Sequence, residues 1–356
     1  MIRNQTTEAT RRLQIEHPIV QGPFGGGLST VHLAATVSNL GGLGSYGAHV
    51  VAPERIGALV TELRAATSRP FAVNLWVSDH DPGGLDVPEG VLERVWSVFE
   101  PYYRELGLAR PATPQRFHHA FDEQVAALLE ARPPVFSFVF GVPPAAVLAA
   151  CKERGIVTAG AATTIDEARA LDDAGVDVIV ASGFEAGGHR PSFLAPAEDS
   201  LMGTLALTPL VADRVRAPVV AAGGIGDARG IRAALALGAG AAQLGTAFLA
   251  CEESGASAAH RALLFGEEAK TTVLTRAFTG RLARGIPNRW TRDMERRASE
   301  IAPFPVQSFY VSHLRQATVA AGRTDLASSW AGQIAPNLRH RTATRLIQTL
   351  LQEDPT

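Results

Sequence analysis

Cysteines and long apolar runs are scarce in this sequence. The 356 residues include only two cysteines, Cys151 and Cys251, which lack the close spacing of metal ligands. Two such distant cysteines do not make a disulfide framework, so we expect a protein of the reducing cytoplasm. No apolar run approaches the roughly 18 residues that a membrane helix requires, and residues 1–20 lack the apolar stretch of a secretion signal. The sequence therefore predicts no membrane partner.

Charge of one sign is not in excess either. The chain has 33 Lys and Arg residues against 35 Asp and Glu residues. Electrostatic binding to nucleic acid or to an anionic membrane needs a basic surplus, so neither is expected. The hydrophobic share of 46% instead predicts a soluble protein with a sizeable core. We expect a monomer or homodimer that acts on a small molecule.

Short apolar runs alternate with longer helical segments from residue 18 to about residue 250. The runs are nearly continuous rather than alternating in polarity, which is typical of parallel strands buried on both faces. The eight strand candidates are 18–23 (PIVQGP), 42–46 (GLGSY), 71–77 (FAVNLWV), 135–140 (VFSFVF), 156–159 (IVTA), 176–182 (VDVIVAS), 218–222 (PVVAA) and 240–244 (GAAQL).

Helix signals separate these strands. Residues Thr164 to Glu167 have the form of a capping box, and Asp227 is an N-cap candidate before another helical pattern. Gly175 and Gly238 follow the two patterns as helix stops. Eight strand–helix units close into a (β/α)8 TIM barrel, an α/β fold of roughly 250 residues. A doubly wound open sheet is the competing architecture, but it usually has fewer strands and an early glycine-rich dinucleotide turn.

Two segments interrupt the repeat. Residues 78–116 are too long for an ordinary strand–helix connection and predict an insertion on the catalytic rim. Residues 251–316 follow the eighth strand and predict a small cap domain that contacts the substrate. The barrel then comprises residues 1–250 and 317–356, with a last barrel helix at about 308–322 and a tail after it.

The loops after the strands are where such barrels place their active sites. Pro23, Phe24 and Gly25 open a glycine-rich turn after the first strand, where the backbone can approach a flat ligand. Asn74 near the end of the third strand has an amide that both donates and accepts toward the edge of a heterocycle. These residues predict a planar ligand at this end of the barrel.

Glycine-rich loops also follow the seventh and eighth strands. They carry Gly223 and Gly224, and then Gly245 and Thr246. Either loop alone is explained by tight turns, but phosphate sites in these barrels often use both loops and a helix N-terminus. Their bare amides, aided by the helix dipole, therefore predict a phosphate-bearing cofactor.

His189 is the candidate for proton transfer. It follows the sixth strand, and Gly187 and Gly188 before it allow the backbone to approach a ligand while the imidazole points inward. An imidazole titrates near neutral pH, which suits a general base.

The other histidines have weaker claims. His118 and His119 are expected to begin a helix, and His17 precedes the first strand. His80 lies between two aspartates, but the absence of further ligand residues argues against a metal site, and none is predicted.

Three arginines and the two cysteines are not expected to take part in the chemistry. Arg190, Arg284 and Arg289 are expected to be solvated surface residues rather than substrate contacts. An inosine-monophosphate type of barrel needs a cysteine nucleophile near the active loops, and neither Cys151 nor Cys251 is placed there.

At these motifs the chain resembles the nitronate monooxygenase family, formerly grouped as 2-nitropropane dioxygenases. The resemblance covers nearly the whole chain, and GFEAGGH is its most specific element. The resembling stretches are 18–30 (PIVQGPFGGGLST), 71–82 (FAVNLWVSDHDP), 137–143 (SFVFGVP), 181–193 (ASGFEAGGHRPSF), 217–249 (APVVAAGGIGDARGIRAALALGAGAAQLGTAFL), 281–290 (RLARGIPNRW) and 330–333 (WAGQ).

The resemblance implies a flavoprotein that holds FMN and uses O2 to oxidise propionate 3-nitronate or alkyl nitronates to a carbonyl product and nitrite. His189 matches the family's active-site histidine, the base toward neutral nitroalkanes. The positions implied as FMN contacts are Pro23, Phe24, Gly25, Asn74, Ser182, Gly183, Gly187, Gly188, Gly223, Gly224, Gln243, Gly245 and Thr246.

Some residues depart from the family pattern. Phe24 and Gly25 stand where many members have Met-Ala, Pro191 where a glycine is usual, and Val139 where some relatives have histidine. Flavin-dependent NAD(P)H reductases of quinones or enoyl thioesters share the Gly-Gly-His element and remain the alternative function. A third possibility is a flavin-binding or phosphate-ligand-binding protein without catalysis.

Overall fold

Eight parallel strands form the centre of the fold in a computed structural model that describes residues 2, 5–77, 81 and 87–352. Their order is β1-β9-β8-β6-β5-β4-β3-β2, and a bridge between Val20 and Leu43 joins β2 back to β1. The predicted TIM barrel is confirmed. The strands are β1 (Ile19–Gln21), β2 (Gly44–Gly47), β3 (Phe71–Trp76), β4 (Val135–Val139), β5 (Val157–Ala162), β6 (Val178–Ser182), β8 (Val219–Ala222) and β9 (Ala241–Leu244).

A helix follows each barrel strand on the outside. These helices are α2 (Val31–Asn39), α3 (Pro53–Ala66), α5 (Phe121–Ala131), α6 (Ala145–Glu153), α7 (Ile165–Asp173), α8 (Thr204–Ala212), α9 (Ala228–Ala236) and α14 (Ala343–Gln352). The amino-terminal end of the barrel is filled by α1 (Glu8–Leu13), whose Ala9 and Leu13 join the apolar cluster inside the strands. Ligand space is therefore left at the carboxyl end.

The predicted helix signals act largely as expected. Asp227 accepts hydrogen bonds from the amides of Arg229 and Gly230 and so caps α9. Thr164 accepts a hydrogen bond from the amide of Glu167 at the start of α7. The carboxylate of Glu167, however, accepts from Thr163 and from the amides of Phe193 and Leu194. Only one of the two hydrogen bonds of the predicted capping box is therefore formed. The buried carboxylate of Glu167 instead holds the segment after His189.

The last barrel helix is not the one at about 308–322, so that prediction is wrong. In α14, Leu346, Ile347 and Leu350 pack in the same cluster as residues of α2 and α9, and this helix fills the remaining position around the barrel. The segment predicted to be a tail is thus the amphipathic helix α14. Its apolar residues at positions i, i+1 and i+4 form one face, which is buried against the barrel.

The region above the barrel combines both predicted insertions. It contains α4 (Glu89–Glu105), α11 (Ala258–Leu264), α12 (Arg289–Glu295) and α13 (Val306–Ala320), whereas the short α10 (Thr246–Leu249) directly after β9 packs against α14. Aromatic side chains of α4 pack against α12 and α13 in one cluster that includes Phe99, Trp290 and Tyr310. A small antiparallel sheet adds β7 (Gly188–His189), β10 (Val273–Thr275) and β11 (Ala283–Gly285) in the order β10-β11-β7. The boundaries between barrel and cap domains stay a prediction.

Both cysteines are buried and unpaired. His80 lies outside the described residues. Among the helices that the structure describes, none combines the length and the apolar character needed to cross a bilayer.

Candidate active site

A cavity of about 510 Å³ lies at the carboxyl ends of the strands, beneath the cap. Its volume falls within the range of about 300–1,000 Å³ that is usual for small-molecule sites. The structure brings nearly all of the predicted site residues together in its wall. These are Pro23, Phe24, Gly25, Asn74, Ser182, Gly187, Gly188, His189, Gly223, Gly224, Gln243, Gly245 and Thr246.

Gly183 is the exception, because it does not line the cavity. A Cβ atom on this residue would lie 2.0 Å from the hydroxyl oxygen of Thr204. Its carbonyl accepts a hydrogen bond from Arg190. Gly183 therefore allows close packing behind the cavity wall rather than contact with a ligand.

His189 lies on β7, which pairs with β11 of the cap. Its Nε2 atom is 2.9 Å from the hydroxyl of Thr279, and its ring meets the edge of Trp76 at a centroid distance of 4.9 Å. Burial, together with the positive charge of Arg281 and the nearby His49, lowers the pKa of His189 to about 3. The imidazole is therefore neutral at physiological pH, which is the protonation state that a general base requires.

The loops after β8 and β9 have the backbone geometry of an anion cradle. Gly223 and Gly224 have φ values of +111° and +68°, which side-chain-bearing residues rarely adopt. In the described part of the chain, the amides of Gly224 and Gly245 have no hydrogen-bond acceptor. The first turn of α9 is already capped by the carboxylate of Asp227, so the expected help from this helix end is not available to an anion.

His49, which follows β2, also lines the cavity and was missed in the sequence. Its ring stacks on Trp76, with centroids 3.7 Å apart and planes 7° apart. A Cβ atom at Gly25 would lie 1.9 Å from the Cε1 atom of His49, so the glycine leaves room for the ring. Burial lowers the pKa of His49 to about 3, and the charge of Arg281 contributes. The sequence does contain a signal for His49, because this residue lies just after the predicted second strand, as His189 lies after the sixth.

His118 and His119 do not begin a helix as expected. They lie before α5, which begins at Phe121, and both line the cavity. The helix begins later because the apolar side chains that it buries, including Phe121 and Val125, start at Phe121.

The cap contributes a polar stripe that sequence reasoning also missed. Ser308, Ser312 and Arg315 lie at positions i, i+4 and i+7 of α13, which places them on one face, and all three line the cavity. Arg315 has no hydrogen bond or ion pair with another residue that the structure describes, and burial lowers its pKa. The i, i+4, i+7 spacing of these polar residues is visible in the sequence. It does not point to the cavity there, because the sequence predicts this segment as a barrel helix.

Two of the three arginines expected at the surface are buried. Arg190 is 1% exposed and donates to the carbonyls of Ser182 and Gly183, while Arg284 is 3% exposed and donates to the carbonyl of Phe184. The terminal nitrogens of Arg190 and the Nε atom of Arg284 thus bind carbonyl groups at the end of β6 and in the loop after it, so both residues shape this loop, although Nε of Arg190 is buried without a partner among the described residues. Arg289 lies at the surface, as predicted, where it pairs with Glu105 outside the cavity.

Comparisons with known proteins agree with this geometry. The nitronate monooxygenase family model matches residues 6–353. A nitronate monooxygenase from Pseudomonas aeruginosa is 44% identical over 98% of this chain and 99% of its own length. The solved nitroalkane oxidase from Streptomyces ansochromogenes is 37% identical with a TM-score of 0.87, covering 97% of this chain and 96% of that one.

A more distant solved structure, FabK from Thermotoga maritima, is 27% identical with a TM-score of 0.74 and covers 98% of this chain and 96% of that one. The family match and the curated relative both extend over almost all of the sequence. On these findings, the chain is an oxidoreductase that belongs to the nitronate monooxygenase family.

Proposed function

We propose that the protein is an FMN-dependent nitronate monooxygenase that uses O2 to convert propionate 3-nitronate or alkyl nitronates to a carbonyl product and nitrite. The observation that carries the proposal is the neutral imidazole of His189 in a cavity lined by glycine-rich loops. Family membership and the similarity to a nitroalkane oxidase support it. A cytoplasmic location and a monomeric or homodimeric state belong to the same proposal.

The cavity residues fit FMN. The unpaired amides of Gly224 and Gly245 are donors for its phosphate, in turns where a Cβ at Gly224 would be strained. Asn74 donates its amide to Ser137, which leaves its oxygen as an acceptor, and Gln243 adds a second side-chain amide. Bound FMN supplies the electron-accepting chemistry of the reaction.

The chain's own groups bind substrate and move a proton. His189 takes the α-proton of a neutral nitroalkane, whereas a preformed nitronate needs no such step. Arg315 is an unpaired cation at the cavity wall and is suited to the carboxylate of propionate 3-nitronate. Trp76, Phe140 and Phe304 line the same space and exclude water from it.

The test is to incubate the purified protein with propionate 3-nitronate and measure nitrite release together with O2 consumption. Nitrite formed without NADH supports the proposal. Oxidation of NADH with reduction of a quinone or an enoyl thioester, and no nitrite, contradicts it and supports the reductase alternative. Loss of nitrite formation when O2 is removed checks the oxidant.

A further inference from the structure

The hydroxyl of Thr279 contacts three polar atoms at once. It lies 2.9 Å from Nε2 of His189 and 3.3 Å from both the amide nitrogen and the carbonyl oxygen of Arg281. Thr279 and Arg281 belong to the turn directly before β11, the strand that pairs with β7. The hairpin of β10 and β11 therefore contacts His189 twice, since β11 pairs with its backbone and the turn before β11 contacts one nitrogen of its ring.

The surroundings of this hydroxyl decide where its proton lies. The amide of Arg281 donates to the hydroxyl oxygen, and the hydroxyl donates to the carbonyl of Arg281. No other donor to that carbonyl is found in the described part of the chain. With its proton donated to that carbonyl, the hydroxyl oxygen of Thr279 keeps a lone pair toward His189, and this arrangement favours hydrogen on Nε2 of His189.

The second ring nitrogen of His189 is left for the ligand. Nδ1 has no hydrogen-bond partner among the described residues. It is also absent from the fully buried unpaired polar atoms, so part of its surface is accessible. His189 lines the cavity, which is the space next to this ring, so we assign the accessible Nδ1 to the cavity side. A neutral imidazole with hydrogen on Nε2 presents a lone pair at Nδ1.

We propose that Thr279 is a positioning residue that holds His189 in the tautomer with hydrogen on Nε2, so that Nδ1 is the atom that accepts the substrate's proton. This inference rests on the proposed function. The step moves the α-proton of a neutral nitroalkane to Nδ1, leaves the carbon–hydrogen electron pair in the nitronate, and gives an imidazolium that still donates to Thr279. In the opposite tautomer, Nδ1 would carry hydrogen and the ring would present no base to the cavity.

The kinetic test compares a neutral nitroalkane with its preformed nitronate, because only the first needs a base. In Thr279→Val the hydroxyl is lost without a change of shape, and the ratio of kcat/KM for nitroethane to kcat/KM for its nitronate is expected to fall by about 10- to 100-fold. Thr279→Ser keeps the hydroxyl and restores the ratio. Thr271→Val is the matched control, since Thr271 is exposed and does not line the cavity, and its ratio stays that of the unmodified protein.

A second readout does not depend on activity. NMR of the holoenzyme labelled with ¹⁵N-histidine, with the His189 signals assigned by their loss in His189→Gln, reports which ring nitrogen carries hydrogen. Hydrogen on Nε2 in the unmodified protein and a mixture of tautomers in Thr279→Val are expected. Hydrogen on Nδ1, or an unchanged kinetic ratio in Thr279→Val, overturns the inference. Failure of the proposed function is distinguishable, because the unmodified protein would then release no nitrite from either substrate.

Discussion

The imidazole of His49 lies flat against the indole of Trp76, with ring centroids 3.7 Å apart. The ring of His189 lies at 71° to the same indole with centroids 4.9 Å apart, so two imidazoles contact one indole in the cavity wall. The Cε1 edge of His49 lies against Gly25, which has no side chain. The wall between β1 and β3 thus contains an imidazole that stacks on an indole and abuts a glycine with its edge.

Gly25→Ala is expected to destabilise the protein by displacing His49 from Trp76. The new Cβ would stand 1.9 Å from the imidazole, so the ring must move. In a His49→Ala background the same alanine meets no ring and should be nearly neutral. A double-mutant cycle by denaturant unfolding should give a coupling energy of about 0.5–3 kcal/mol between the two positions.

The matched control for this cycle is Gly57→Ala. Gly57 lies in α3 and a Cβ there would meet no atom within 4 Å, so the same chemical change should not destabilise. Additive effects of Gly25→Ala and His49→Ala would show that the two residues do not share space.

Acidification is expected to weaken the fold through His49. Burial lowers its pKa from 6.5 to about 3, so between these values the unfolded chain binds more protons than the folded one. Its contribution to stability is therefore complete above pH 6.5 and is lost as the pH falls toward 3. His49→Asn should lose less stability than the unmodified protein between about pH 7.5 and about pH 5, measured by thermal unfolding.

His32→Asn provides the comparison for the acid titration, because His32 is exposed on α2. Its pH dependence should match that of the unmodified protein. An equal loss of stability in His49→Asn and in the unmodified protein would argue that His49 is not held neutral by its surroundings.

Arg315→Gln is expected to impair the use of a charged substrate. Removal of the unpaired cation should raise KM for propionate 3-nitronate about tenfold, the effect of losing one hydrogen bond to a charged group. KM for an alkyl nitronate without a carboxylate should change far less. Steady-state nitrite assays with the two substrates measure this difference, and an equal rise in both values would place Arg315 outside the carboxylate site.

His189→Gln is expected to separate the two substrate forms. Loss of the base should lower turnover of a neutral nitroalkane by about 10²- to 10⁴-fold. Turnover of the preformed nitronate should fall much less, because that substrate has already lost its proton. The measurement is nitrite release from both forms in His189→Gln and in His32→Gln, the exposed control. Full activity of His189→Gln on the nitroalkane would assign the base to another group.

The barrel is predictable from the sequence because each strand is a short apolar run and several helices carry a local cap signal such as Thr164 or Asp227. The turns of the anion cradle are also local, since positive φ values favour glycine at Gly223 and Gly224. Strands, helix caps and glycine turns are determined largely by residues that are close together in the chain, so the sequence alone predicts them.

The missed features depend on three-dimensional contacts that the order of residues in the chain does not show directly. The position of His49 depends on Trp76 at the end of β3 and on Gly25 in the loop after β1. The burial of Arg190 depends on the directions of backbone carbonyl groups, which cannot be read from the residue types. The role of α13 as a cap helix depends on aromatic partners in α4, more than 200 residues earlier in one contact, between Tyr103 and Tyr310.

The binding of FMN is the central claim, and the visible absorption spectrum of the purified protein tests it most directly. We expect a yellow protein whose flavin bands change on denaturation, with release of a molecule that has the mass of FMN. A sample purified without colour should become yellow when incubated with excess FMN. A colourless protein that stays empty under those conditions would contradict the assignment of the cavity to a phosphorylated flavin.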